Sequence, residues 1–444
     1  MLGGDFVTFR LHSLRSFGSI NKISHMLDIK FIRENKDLVS AGAKKKRIKF
    51  NVDELLVLDD ERKKLLQSVE GKKAEQNEFS SKIAKATPEE KEKFIAEMKV
   101  VKDALQKEEE KLKETMTKWQ KLMVQVPNVP DVSVPDGEDD SGNLEVKSWG
   151  EKTSFSFTPK SYTELMENLD MVDLERGAKV AGFRGYFLKN GGALLDFALW
   201  QFAVEHFTKK GLSPMIVPSL VRREALIGTG YLPQGEEDLY KTQDSDYLAG
   251  TGEVATMSYF SDEVLKKEEL PKKILAFSDC FRREAGSHGK DVKGIYRVHE
   301  FYKFEQIILC EANHTESVKH HEELLSNAEE FLQALEIPYR VVVNCGGDLG
   351  LGQVKKYDIE AWVPSQDKYR ETHSCSYFHD FQTRRLNIRY KDTDGKMRFV
   401  HSLNNTAVAT PRILIQIIEN NQQADGSIKV PKVLQKYVGK EIIK

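Results

Sequence analysis

The chain has 444 residues, 31% of them charged and 40% hydrophobic, with a formal net charge of −2. It is long enough for two or three domains and carries no global basic field, so any binding of nucleic acid has to come from local patches. The four cysteines, Cys280, Cys310, Cys345 and Cys375, are widely spaced with no C-x-x-C pair, and no run approaches the roughly 20 apolar residues of a membrane span. That argues against a zinc site and a disulfide framework, and predicts reduced thiols in or near a core.

Residues 1–25 hold Arg10, Arg15, Lys22 and several serines against the single acid Asp5. The composition faintly resembles an organellar transit peptide. A disordered extension or a misassigned start fits at least as well, and a cytoplasmic location is expected over import. From about 52 to 126 glycine nearly vanishes and Lys and Glu dominate. Apolar residues recur at Leu55, Leu58, Leu65, Val69, Phe79 and Ile83, then at Phe94, Met98, Val101, Leu105, Leu112, Met116 and Trp119. Steps of three, four or seven make a heptad seam, interrupted in its first half by Arg62, Lys72 and Gln76. Between the two runs Thr87 is a good N-cap, Pro88 suits a first helical position, and Glu89 and Glu90 favour the positive end of the helix dipole. The spacing therefore predicts two antiparallel helices of roughly 50 Å. Such a hairpin is either a dimerising or spacing coiled coil, or a lever that reaches a distant part of a large ligand. The basic run Lys44-Lys45-Lys46-Arg47 with Lys49 lies at its base, and suits phosphate contacts and a solvated turn equally.

Pro127 and Pro130 end the hairpin, and residues 127–160 read as a Pro-, Gly- and Asp-rich linker that wraps onto the next domain. Beyond Ser161, residues 194–207 read as an amphipathic helix, followed by an extended segment up to Pro218. Residues 339–343, 358–363 and 386–391 read as strands, and 406–420 as a buried closing helix. Helices and strands without regular βαβ alternation indicate an α+β fold with an antiparallel sheet.

Residues 281–305, FRREAGSHGKDVKGIYRVHEFYKFE, are the most informative stretch. An apolar run, 274–277, precedes Arg282, Arg283 and Glu284. A glycine-rich basic loop with Lys290 and Lys293 follows, and a second strand-like run, 296–305, carries Arg297, Phe301 and Glu305. Arginines on strands grip phosphate oxygens in bidentate geometry, and an aromatic ring offers a face to a base. There is no G-x-S-x-G elbow, Walker P-loop or convincing Ser-His-Asp set in the chain.

This stretch resembles the second signature motif of class II aminoacyl-tRNA synthetases, in the form of the seryl enzymes. The likeness covers almost everything after Met26, where Met26-Leu27-Asp28-Ile29-Lys30 looks like an ordinary start for that family. Residues 213–218 with the preceding helix resemble the first motif, which implies a homodimer interface. Residues 401–412 resemble the third. The resemblance divides the chain into an extension (1–25), a tRNA-binding hairpin arm (26–126), a linker (127–160) and a class II catalytic domain (161–444). It implies ATP and Mg²⁺ as substrate and cofactor, and serine and tRNA(Ser) as partners, the arm meeting the long variable arm of the tRNA. Many seryl enzymes also charge tRNA(Sec), and that acceptor stays open.

The same resemblance assigns Arg282 to the α-phosphate and the substrate carboxylate, and Glu284, Arg297 and Val298 to ATP. It assigns Phe301 to adenine, Glu371 and Ser374 to magnesium and ATP, and Arg412 to the γ-phosphate. Thr251 and Glu253 would meet the serine amino group, and Glu305, Asn404 and Thr406 would line the pocket. Four positions depart from the family pattern: Gly252 replaces Ala, His373 replaces a serine, and Asn405 and Pro411 replace glycines. Two rival readings are a catalytically silent paralogue and a ligase for carrier proteins. The first should have lost part of the Arg282, Glu284, Glu371 and Arg412 set, and the second lacks the long hairpin.

Overall fold

A computed structural model describes residues 28–286, 289 and 291–444. The expectations for residues 1–25 and for Lys290 lie outside the described residues. Two short helices, α1 (Ile29–Glu34) and α2 (Lys36–Lys45), lead into the long hairpin α3 (Val52–Lys85) and α4 (Pro88–Met123). The Asn51 side chain caps α3 by accepting the Glu54 N–H at 3.2 Å. Glu90 accepts the Thr87 N–H at 3.0 Å, so α4 starts at the Thr-Pro-Glu-Glu signal.

The hairpin is held mainly at its root, where Ile32, Val39, Val52, Leu55, Trp119, Met123 and Val126 form one apolar cluster. Farther out only Val69 and Leu105 among the apolar residues are buried. There the helices meet through pairs such as Lys73–Glu109 at 2.8 Å and Phe79–Phe94 at 6.5 Å between ring centres. Fully buried Asp59 fastens α1 to α3 by accepting from Arg33 at 2.9 Å and Arg62 at 2.7 Å. Burial alone would raise its carboxyl pKa, but Lys63, Arg62 and Arg33 outweigh that and hold it low.

The remainder is built on an eight-stranded sheet. Its strands are β1 (Leu144–Trp149), β2 (Ser213–Ile216), β3 (Lys272–Phe281), β4 (Glu300–Cys310), β5 (Tyr339–Val343), β6 (Lys355–Val363), β7 (Lys368–His379) and β8 (His401–Thr410). Their order is β1-β5-β6-β7-β8-β4-β3-β2, antiparallel throughout except for the edge pair β2–β3. The Pro-rich linker thus supplies the edge strand β1. Helices α5 (Asn190–Lys209), α6 (His314–Ala334) and α7 (Arg412–Asn420) contribute Phe202, Phe207, Phe331, Leu332, Ile417 and Ile418 to the main core. Along β4, Phe304 and Ile308 join that core, whereas the intervening face turns Phe301, Lys303 and Glu305 to a cleft.

Three sequence expectations need correction. Residues 406–420 are not one helix, because β8 runs to Thr410 and α7 begins at Arg412. β8 is central and buried on both faces, so it has no alternating polar side to betray it. Residues 386–391 hold a strand only at Arg389–Lys391, behind the short helix Phe381–Arg385. The return strand expected from residue 296 begins at Glu300. All four cysteines are buried and free.

Candidate active site

Strands β3 and β4 pair with Phe301 opposite Cys280 and Glu305 opposite Ala276, which fixes where Arg282, Glu284 and the return-strand residues project. The sheet face beside them opens into a cleft of about 430 Å³. Every residue to which the resemblance assigned a substrate, ATP or magnesium role lines it: Thr251, Glu253, Arg282, Glu284, Arg297, Val298, Phe301, Glu305, Glu371, Ser374, Asn404, Thr406 and Arg412. The chain thereby brings residues more than 150 positions apart into one cavity.

Part of the cleft gathers the guanidinium groups of Arg282, Arg297 and Arg412. Arg282 donates through Nε to the Gly250 carbonyl at 3.2 Å, and its guanidinium lies 5.3 Å from the Phe301 ring centre. Arg297 donates to Glu284 at 2.6 Å, so two residues expected at the nucleotide already hold each other in place. Arg412 stands 3.3 Å from the Glu371 carboxylate and 4.8 Å over the Tyr296 ring, while Arg370 lies 3.9 Å from the same ring. Tyr296 donates its hydroxyl to the Glu371 carbonyl at 2.9 Å. The Glu371 side chain is 45% exposed and reaches the cleft. Desolvation pushes its carboxyl up, but Arg412, Lys356 and Arg282 more than reverse this and hold it below the ordinary value.

A register shift in the β6–β7 pairing places Glu371 opposite Glu360 and His373 opposite Ile359. Thr372, Ser374 and Ser376 then face the cleft. His373 is fully buried away from it, with Nε2 at 3.1 Å from the Ala407 carbonyl, and burial lowers its pKa to about 4. His373 is therefore not part of the cleft lining. Asn405 is likewise fully buried and donates to the Leu324 carbonyl of α6 at 2.7 Å, and Pro411 occupies the N-cap position of α7.

The opposite part of the cleft is small and polar. Thr251 caps a helix (Gly252–Tyr259) and donates to Glu305 at 3.3 Å. Buried Glu253 accepts from Tyr231 at 2.9 Å and from Gln382 at 2.6 Å. Gln382 in turn accepts the Ser402 hydroxyl at 2.7 Å. Burial raises the Glu253 pKa, and the Gln382 and Tyr231 donors work against that. Lys303 pairs with Glu305 inside the pocket. An ammonium group, a carboxylate and a short hydroxyl side chain would all find complementary partners here.

Sequence reasoning missed Tyr231, Tyr296, Lys303 and Gln382. Two of them had signals. Lys303 lies midway between Phe301 and Glu305 on a strand of period two, and Gln382 sits in the segment Asp380–Arg385, which closely follows Glu371 and Ser374 in the chain. Tyr231 and Tyr296 lie in loops where no periodicity operates.

A model of the class II tRNA synthetase core domain (G, H, P, S and T) matches residues 238–421, and a model of the seryl-tRNA synthetase N-terminal domain matches residues 26–130. A serine–tRNA ligase of Deinococcus radiodurans is 46% identical over 415 residues, 93% of this chain and 98% of that protein. One from Thermodesulfovibrio yellowstonii is 42% identical, covering 94% of this chain and 100% of its own. Among solved structures, a seryl-tRNA synthetase from Pyrococcus horikoshii complexed with ATP superposes with a TM-score of 0.86 at 39% identity, over 94% of this chain and 99% of that one. A cytoplasmic serine–tRNA ligase from Naegleria fowleri in complex with AMP gives 0.82 at 31% identity, over 95% and 99%.

Proposed function

The chain belongs to the seryl-tRNA synthetases of class II, and from that premise we propose that it is a serine–tRNA ligase. ATP and serine give seryl-adenylate and pyrophosphate, and the seryl group then passes to the 3′-terminal ribose of tRNA(Ser). The observation that carries this reading is one cleft whose cationic part meets a small acid-lined pocket, with Arg282 shared between them. Adenylate formation needs little acid–base chemistry. A carboxylate attacks the α-phosphorus, and the protein positions both groups and neutralises the gathering charge.

Arg282 grips the attacking carboxylate and the α-phosphate, Glu284, Arg297 and Val298 hold the nucleotide, Phe301 stacks on its base, and Arg412 meets the terminal phosphate. Thr251 and Glu253 take the serine ammonium, while Glu305, Asn404 and Thr406 take its hydroxyl. Glu371 and Ser374 would hold Mg²⁺. A carboxylate kept ionised by its neighbours, together with a hydroxyl on the same cleft wall, fits a hard cation that takes few protein ligands. Bound there, the ion would neutralise phosphate charge. The hairpin 26–126 is the arm that meets tRNA, 127–160 joins it to the catalytic part 161–444, and two chains form a homodimer. A cytoplasmic location is proposed over organellar import.

The test is serine-dependent exchange of pyrophosphate into ATP, followed by charging of tRNA(Ser) with and without its variable arm, and of tRNA(Sec). The wild-type chain should exchange with serine and not with alanine or threonine. Arg282→Ala should abolish exchange while the chain stays folded. Exchange near the wild-type rate in that variant would remove Arg282 from its assigned role.

A further inference from the structure

The basic run at the foot of the hairpin does not behave as one patch. Arg47 is exposed and pairs with Glu138 at 3.4 Å, but Lys46 is buried. Its ammonium donates to three backbone carbonyls of a single loop: Gly350 at 3.0 Å, Leu351 at 2.9 Å and Gln353 at 2.6 Å. A lysine has three N–H donors, and each finds an acceptor. From the other end of the hairpin Asn128, also buried, donates its amide to the Gly352 carbonyl at 3.1 Å and the Phe378 carbonyl at 2.8 Å. The Asn128 backbone N–H reaches Leu351 O at 2.9 Å. The two roots of the hairpin thus hold all four carbonyls of residues 350–353.

Those four residues also line the cleft. Gln353 donates to Ser376, which faces the cleft with Ser374, at 2.8 Å. Gly352 lies so close to the Phe381 ring that a Cβ would meet it at 2.5 Å. The next residue is Gln382, the donor to Glu253. A continuous packed path therefore runs from Lys46 through the loop and Phe381 to the acid that faces the amino-acid pocket.

We propose that Lys46 and Asn128 are positioning residues of the serine pocket, and that the root of the hairpin is a structural part of that pocket's wall. This rests on the serine–tRNA ligase reading. In tRNA-free exchange, Lys46→Met and Asn128→Ala should each raise the serine KM about tenfold, within the roughly hundredfold that a 1 Å misplacement can cost. The ATP KM should stay within about twofold of wild type, because the path through Phe381 and Gln382 ends on Glu253, which is assigned to serine and not to the nucleotide. A merely structural role would lower melting temperature and leave the serine KM alone, or raise both KM values together, and either result in folded variants overturns the proposal. If Lys46→Met does not fold, Asn128→Ala decides by the same split. Absence of exchange in the wild-type chain would sink the ligase reading itself, and this inference with it.

Discussion

The proposed reaction requires Glu253 to be both buried and ionised. Burial raises its pKa, while Gln382 and Tyr231 each donate to it and favour the charged form. In the proposed reaction only the carboxylate attracts the serine ammonium, so serine affinity falls as pH drops through the Glu253 pKa. Removing the amide in Gln382→Ala takes away a donor and moves that pKa farther up. The serine KM should rise about tenfold near neutral pH, the scale of one hydrogen bond to a charged group. The gap to wild type should widen toward acid pH and narrow toward alkaline pH. Exchange kinetics across pH read this directly, and two profiles offset by a constant factor would show that Gln382 acts by shape alone.

At the scale of elements, the long hairpin is the part whose loss should separate the two half-reactions. The pairs Lys72–Glu108 and Lys73–Glu109 place the same level of α3 and α4 side by side. Replacing residues 74–107 with a short turn should shorten the arm and leave its root cluster, Lys46 and Asn128 in place. Exchange should stay within about twofold of wild type, while the KM for tRNA in charging rises roughly a hundredfold, as expected when several phosphate contacts are lost. Charging at wild-type efficiency by the shortened chain would remove the arm from tRNA recognition.

The hairpin was legible because its signals are local: a heptad seam, a capping threonine and a proline at the first helical position. β8 was not, because a strand buried on both faces in mid-sheet shows no alternation, and its run of Ala, Val and Thr adjoins a true helix. The cleft residues were legible where they belong to compact motifs. Tyr231, Tyr296 and the split of the Lys44–Arg47 run were not, since only the tertiary path of loops decides which side chains reach the cleft or the interior.

At the scale of the whole molecule, one chain leaves apolar surface that its own fold does not cover. β2 is the last strand of the sheet, and Ile216 at its end is 85% exposed. Nearby in sequence, α5 turns out Leu194, Phe197 and Val204, with Phe197 53% exposed. Phe183 and Phe187 add two more exposed rings beside a cavity of about 510 Å³ that Phe197 and Trp200 also line. An open strand edge with a neighbouring aromatic surface is unstable against association, and a second copy is the occupant that the proposed dimer supplies. Phe197→Glu would place a charge in that interface and cost about 3 kcal/mol or more, a weakening of association of at least roughly a hundredfold. Sedimentation over a dilution series should then give the mass of two chains for wild type and a dissociation constant at least roughly a hundredfold higher for Phe197→Glu. An unchanged dissociation constant in the variant would place the interface elsewhere, and a one-chain mass in the wild type at every concentration would end the dimer proposal.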